Sequence, residues 1–253
     1  MTDPRPQPSA QPDDGAETRA WMERRFLTVV SHQLKSPLVA VRQYLDLLQD
    51  DAAARPEAAH TQPWIDRSIV RLEEALALVE DWLALARVEA GALIHPGAST
   101  DLTALLAELV GDARDAAAPG QIAVRLEVPR APLHVRGDRS SLAAALSHVV
   151  DNAIRYNRAG GTVVVRGLVP VAERPELACV EVEDTGIGIP QSFLPQLFLE
   201  FRRARSAASR DIPGSGLGLA ISSRIVEELG GHIAVQSVEG EGSTFRLYLP
   251  IAG

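Results

Sequence analysis

Leu27, Ser31, Leu34, Leu38, Val41, Leu45 and Leu48 recur at alternating four- and three-residue steps, from Trp21 to about Asp50. Steps of that kind keep a seam on one face of a helix. Pro37 falls inside the run, and its missing backbone N–H predicts a kink there. Ile65, Ile69, Leu72, Leu76, Val79, Leu83 and Ala86 repeat the spacing. They predict a second helix from about Trp64 to Ala90, with Gly91 as its C-terminal cap. The Ala, Arg, Pro and Gln between Asp51 and Pro63 predict a turn region. Two long amphipathic helices joined this way make an antiparallel hairpin with its apolar seam uncovered. Pairing with a second copy into a four-helix bundle is the cheapest cover, so a homodimer is expected.

After a linker over residues 92–100, which carries His95, Pro96 and Gly97, the pattern changes. A helix is predicted from Asp101 to Ala116, capped by Thr100 or Asp101. Period-two and β-branched runs predict strands at Gln121–Val128, Leu133–Arg136, Thr162–Val169, Ala178–Glu183, His232–Ser237 and Thr244–Leu249. Helices are predicted at Asp138–Tyr156 and Gly216–Leu229. No regular βαβ repeat runs through the order. The fold class expected is α+β: the dimeric helical hairpin, then an α/β sandwich with a mixed sheet covered by helices on one face. Residues 21–91 form the first domain and 101–253 the second. Residues 1–20, rich in Pro, Gln, Asp and Ala, are expected to be disordered.

Composition narrows the partners. The apolar fraction of 46% supplies a core, and aromatics at 4% leave it to Leu, Val, Ile and Ala. A net charge of −8 offers no basic stripe to phosphates, which argues against nucleic acid. Cys179, the one cysteine, sits in an apolar run and reads as a small buried hydrophobe in a reducing, cytoplasmic setting. No run approaches the ~20 apolar residues of a membrane helix, and no signal-peptide pattern opens the chain.

Three glycine-bearing segments carry candidate chemistry: Asp184-Thr185-Gly186-Ile187-Gly188-Ile189 after a strand, Gly214-Ser215-Gly216-Leu217-Gly218-Leu219 opening a helix, and Gly240-Glu241-Gly242-Ser243-Thr244 between the last strands. Glycines admit a ligand to the backbone, and a helix start offers free N–H groups to phosphate. No Lys-Ser/Thr pair follows them, so none is a Walker loop. Asn152, in Asp151-Asn152-Ala153-Ile154-Arg155-Tyr156, has an oxygen suited to a hard cation such as Mg²⁺, although an Asn on a helix face is ordinarily solvated.

The ordered set D-N-A-I-R-Y, D-T-G-I-G-I, F-L-E-F-R-R, G-S-G-L-G-L and G-E-G-S-T-F resembles the ATP-binding domain of sensor histidine kinases, a fold shared with gyrase and heat-shock chaperone ATPases. Upstream, S-H-Q-L-K-S-P-L resembles the segment around the phospho-accepting histidine of those kinases. The resemblance implies ATP and Mg²⁺ as cofactors and a response-regulator receiver domain as partner in trans. It implies His32 as phosphoacceptor, Asn152 as Mg²⁺ ligand and Asp184 as acceptor for the adenine amino group. Gly186 and Gly188 would pass close to the base, and Tyr156 would lie beside it. Phe198 and Phe201 would anchor a lid over roughly Leu199 to Pro213, with Arg203 reaching the terminal phosphate. Gly214, Gly216, Leu217 and Gly218 would hold the lid hinge and helix start against the phosphates.

Four positions depart from the family pattern. Gln33 stands where an acidic residue is usual, and an amide is not a useful base. Ser36 replaces the Thr or Asn that orients a water for dephosphorylation. His148 replaces the first Asn of the helix motif, and Ser223, with Arg224 beside it, replaces a phosphate-contacting lysine. The reading is an active but slow kinase acting on His32. The alternatives are an ATP-binding dimeric scaffold, favoured by Gln33, and a clamp-type ATPase, which His32 on its hairpin argues against. His60, His95, His134 and His232 read as structural or solvated.

Overall fold

The structure, a computed structural model, describes residues 38–48, 62–89, 98–129, 131–168, 174–204, 212 and 214–252. His32, Gln33, Ser36, Pro37 and the Gly91 cap lie outside the described residues. The chain divides into two compact units at Leu78 and Val79.

In the first unit, residues 38–48 form helix α1. Helix α2, Gln62–Glu89, starts two residues before Trp64 and runs on into the second unit. Tyr44 of α1 meets Trp64 of α2 with ring centroids 5.7 Å apart. The Arg67 guanidinium lies 5.2 Å over the Trp64 ring. The expected seam is open: Ile65, Ile69, Leu72 and Leu76 are exposed, Leu76 to 54%, as are Leu38 and Leu45 of α1. A row of that size left in water is unfavourable by about 1.5–3 kcal/mol per side chain relative to burial.

The second unit follows the predicted order of helices and main-sheet strands, with an added strand at its start. Strand β1, Ser99–Asp101, lies where the linker was expected to end. It pairs antiparallel with β3, His134–Arg136, in a two-stranded sheet of its own. Helix α3, Leu102–Ala117, is capped by Asp101, whose carboxylate accepts the Ala104 N–H at 3.2 Å. Thr100 is engaged elsewhere, its buried hydroxyl donating to the Gly137 carbonyl at 2.8 Å. Helix α4 is Arg139–Arg155 and α5 is Gly218–Glu228.

The main sheet has the order β2-β4-β5-β7-β6, with β2 Ala123–Glu127, β4 Thr162–Leu168, β5 Leu177–Asp184, β6 His232–Val238 and β7 Gly242–Pro250. Only β2 and β4 run parallel; the other neighbours are antiparallel. Alternate side chains such as Val163, Val165, Val182, Phe245 and Leu247 are buried, and α3, α4 and α5 pack on the sheet. The opposite face carries charge in register: Glu127 pairs with Arg166, Arg166 with Glu181, and Glu181 with Arg246. Arg166 reaches Glu127 and Glu181 at 2.8 Å each, and Arg246 reaches Glu181 at 2.7 Å. Opposite charges across neighbouring strands, worth about 0.2–1 kcal/mol per pair, make this face tolerable in water without helices over it. Cys179 is buried within β5, and burial followed by the Glu181 charge pushes its thiol up to about 11, which disfavours the thiolate nucleophile.

Candidate functional site

The end of α4, the loop after β5 and the start of α5 converge. Asp184 ends β5 and is buried, with its carboxylate accepting the Gly186 N–H at 2.8 Å. The Ser243 N–H, opposite it on β7, donates to the same carboxyl. Burial raises its pKa from the usual carboxylate range to about 6, against the lowering effect of those two hydrogen bonds.

The loop then turns onto α4. The Ile187 N–H donates to the Tyr156 carbonyl at 3.0 Å. A Cβ at Gly186 would stand 2.3 Å from that same oxygen, so any other residue would push the loop off the helix. Gly188 is held from the other side. Its φ is +66°, and a Cβ there would meet the Val238 carbonyl oxygen at 2.0 Å. The first and third glycine segments are thereby stitched together, with the Gly240 N–H donating to the Ile187 carbonyl at 2.8 Å.

The second glycine segment arrives over the end of α4. A Cβ at Gly214 would lie 3.6 Å from Arg155 Nη1 and 3.8 Å from Tyr156 Oη. The Gly216 carbonyl accepts the Phe201 N–H at 3.0 Å, which ties the start of the expected lid to this segment. Phe201 adopts φ +58°, a left-handed conformation costing an aromatic residue on the order of 1–2 kcal/mol. Leu217 is fully buried at the N-terminus of α5, where among the described residues no side chain caps the helix. Small residues let α5 sit close on α4: the buried Ser222 hydroxyl lies 2.8 Å from the Ala145 carbonyl and 3.0 Å from its own Gly218 carbonyl.

His148 lies across the start of α5, since a Cβ at Gly218 would come within 3.0 Å of its Nδ1. Its Nε2 is 3.6 Å from an Asp81 carboxylate oxygen, and the Ser215 hydroxyl donates to the other at 2.9 Å. Asn152 is half-buried on α4, one turn after His148. Among the described residues no three His, Cys, Asp or Glu gather to hold a metal.

Asn152, Tyr156, Asp184, Gly186, Gly188, Gly214, Gly216, Leu217 and Gly218 are therefore set on elements that meet. Arg203 is turned elsewhere: its guanidinium donates to the Ile212 carbonyl, and its buried Nε has no partner among the described residues. Ser223 donates to Glu227 at 2.7 Å along α5. Arg155, Asp81, Ser237 and Ser243 were not foreseen. Arg155 and Ser243 had a signal, their places beside Tyr156 in the helix motif and within the third glycine segment.

Residues 137–253 match the family described as Histidine kinase-, DNA gyrase B-, and HSP90-like ATPase. Residues 22–91 match the His Kinase A (phospho-acceptor) domain. The chain is 32% identical over 228 residues to the circadian input-output histidine kinase CikA of Synechococcus elongatus, a match covering 89% of this chain and 29% of CikA. It is similar in structure to the mycobacterial sensor histidine kinase MprB, with 32% identity and a TM-score of 0.54 over 61% of this chain and 98% of that one. It shares a fold with the histidine kinase ThkA, solved in complex with the response regulator protein TrrA. There the identity is 17%, and the TM-score is 0.67 over 94% of this chain and 64% of the other. The chain spans a quarter to about a third of the length of the curated relatives it matches. No described helix is long and apolar enough to cross a membrane. A phospho-acceptor domain followed by this ATPase domain places the chain in the histidine kinase family of two-component signalling.

Proposed function

We propose that this chain is a kinase core that phosphorylates His32 from ATP with Mg²⁺ and passes the phosphoryl group to an aspartate of a separate response regulator. The observation that carries it is the convergence of the Asp184 loop and the Gly214–Gly218 segment on the end of α4, in a chain whose His32 falls within the phospho-acceptor match. The His32 imidazole attacks the terminal phosphorus; a P–N bond forms, the P–O bond to ADP breaks, and the ring gives up a proton. The test is incubation of the full chain with γ-labelled ATP and Mg²⁺, scored as acid-labile, alkali-stable label.

Roles follow from position. The buried, ionisable Asp184 suits the adenine amino group, a donor, and disfavours guanine's carbonyl there. The backbone of Gly186 lies between that carboxylate and the Tyr156 carbonyl, and Tyr156 and Gly188 would pass beside the base. Gly214, Gly216, Leu217 and Gly218, with the uncapped start of α5, suit the phosphates. Arg155 joins them from the end of α4. Arg203 serves the terminal phosphate once it leaves Ile212. A single amide oxygen, Asn152, with no carboxylate cluster among the described residues, fits Mg²⁺, which takes few protein ligands and is otherwise held by substrate phosphates and water. The metal would supply charge neutralisation on those phosphates. A cytoplasmic location fits the supply of ATP and a reduced Cys179.

The exposed seam supports homodimerisation. Leu76→Glu places a charge in an isologous interface twice. The dimer dissociation constant is expected to rise by at least about 100-fold, seen as monomer in sedimentation velocity.

Asp184 gives opposite pH dependences to binding and to apo stability. Its folded pKa is raised, so its contribution to apo stability is fully present below 3.8 and is lost as pH rises through about 6. Nucleotide needs the ionised form, so ADP affinity falls by up to about tenfold per pH unit below 6. Calorimetry against Asp184→Asn isolates this from titration of the phosphate, and a flat difference curve contradicts it.

Gln33 favours a second reading, an ATP-binding dimeric scaffold with little kinase activity. Nucleotide bound without label would decide for it.

A further inference from the structure

We propose that Ser237 is a positioning residue for nucleobase recognition, fixing the Asp184 carboxylate from two strands away. The proposal rests on the reading of Asp184 as acceptor for the adenine amino group.

Ser237 is buried on β6 and its hydroxyl is saturated. The Gly242 carbonyl, which can only accept, lies 2.8 Å from its Oγ and takes its one proton. The Ser243 hydroxyl, 3.0 Å away, must then donate to Ser237. The Ile189 N–H fills the remaining lone pair at 2.8 Å. The backbone of the same residue is used as well, with Gln191 Nε2 donating to its carbonyl at 2.8 Å.

These bonds reach both sides of Asp184. Ile189 and Gln191 belong to the loop that leaves it. Gly242 and Ser243 begin the strand opposite it, and Ser243 supplies an N–H to its carboxyl. One hydroxyl thus sets the distance between the loop and the strand that together aim the carboxylate. Alanine at this position leaves a buried carbonyl, an amide and a hydroxyl without a common partner. The loop and the β6–β7 hairpin are then free to separate.

The experiment compares ATP with purine riboside 5′-triphosphate, which lacks only the 6-amino group, as ligands of the full chain by calorimetry with Mg²⁺. Wild type is expected to prefer ATP on the order of 100-fold, and Asp184→Asn to lose the preference. In Ser237→Ala the preference falls by at least about fivefold while the affinity for the purine analogue changes less than about threefold. Ser237→Thr, which keeps the hydroxyl, restores the preference. A merely structural role weakens both ligands together and leaves the ratio unchanged, and that result overturns the proposal. Should Ser237→Ala not fold, Ser243→Ala removes one bond of the same hydroxyl, and an unchanged ratio there overturns it equally. If wild type does not discriminate between the ligands, the reading of Asp184 fails first and the proposal goes with it.

Discussion

Asp184→Asn is expected to lower nucleotide affinity on the order of 100-fold while the melting temperature shifts by no more than a few degrees. The lost contact is a hydrogen bond to an ionised acceptor, worth about 1.5–3 kcal/mol, and an amide can also turn a donor toward the adenine donor. The fold is spared for a separate reason. Burial already disfavours the Asp184 charge, as its pKa of about 6 records, so a neutral side chain of the same shape relieves a cost. The amide oxygen still accepts the Gly186 N–H that the carboxylate accepts at 2.8 Å. Calorimetric titration with Mg-ADP and a thermal melt of the same preparation check both halves. Nucleotide affinity within threefold of wild type would remove Asp184 from the site.

His32→Ala is expected to abolish phosphorylation, lowering acid-labile label from γ-labelled ATP by more than about 1000-fold with ADP affinity unchanged. No other side chain inherits the role. The thiol of Cys179 is buried and held protonated, His148 and His232 belong to the ATPase domain, and His60, the other histidine of the phospho-acceptor match, lacks the S-H-Q-L-K-S-P-L setting of His32. Gln33→Glu tests the neighbouring departure in the opposite direction. A carboxylate beside His32 can take the imidazole proton, and general-base assistance is typically worth 10²–10⁴-fold, so a gain of about 10-fold or more in labelling rate is expected. Labelling that survives in His32→Ala moves the phosphoacceptor elsewhere. An unchanged rate in Gln33→Glu shows that proton removal does not limit the reaction.

Periodicity carried most of the architecture. The seam spacing gave α2, and two-residue alternation gave the strands of the main sheet, because both are local consequences of side-chain direction. Sequence was silent where the outcome depends on register. Nothing in Ser99-Thr100-Asp101 marks a strand, since three residues are too few for alternation, and β1 exists only because β3 lies beside it. The choice between Thr100 and Asp101 as cap was settled by the Gly137 carbonyl, distant in sequence. The glycine segments were legible as a candidate site because of their number and order, and the structure brings them together. Ser237 was not, because a serine on an edge strand looks the same whether it faces water or a buried hub. Asp81 reads as one more acid on an amphipathic helix until Ser215 and His148 are found against it.

The order of the main sheet bears on how the domain is made. β7 is last among the strands in the chain, yet it lies between β5 and β6, pairing from Leu177↔Pro250 to Asp184↔Ser243. A ribosome therefore releases every other strand first, and until Gly242–Pro250 emerges β6 has no neighbour and β5 keeps a bare flank. The Asp184 carboxyl also waits for Ser243, whose N–H it accepts. A premature stop ahead of β7 removes the middle of the sheet rather than its border, and such a product is destined for aggregation or proteolysis.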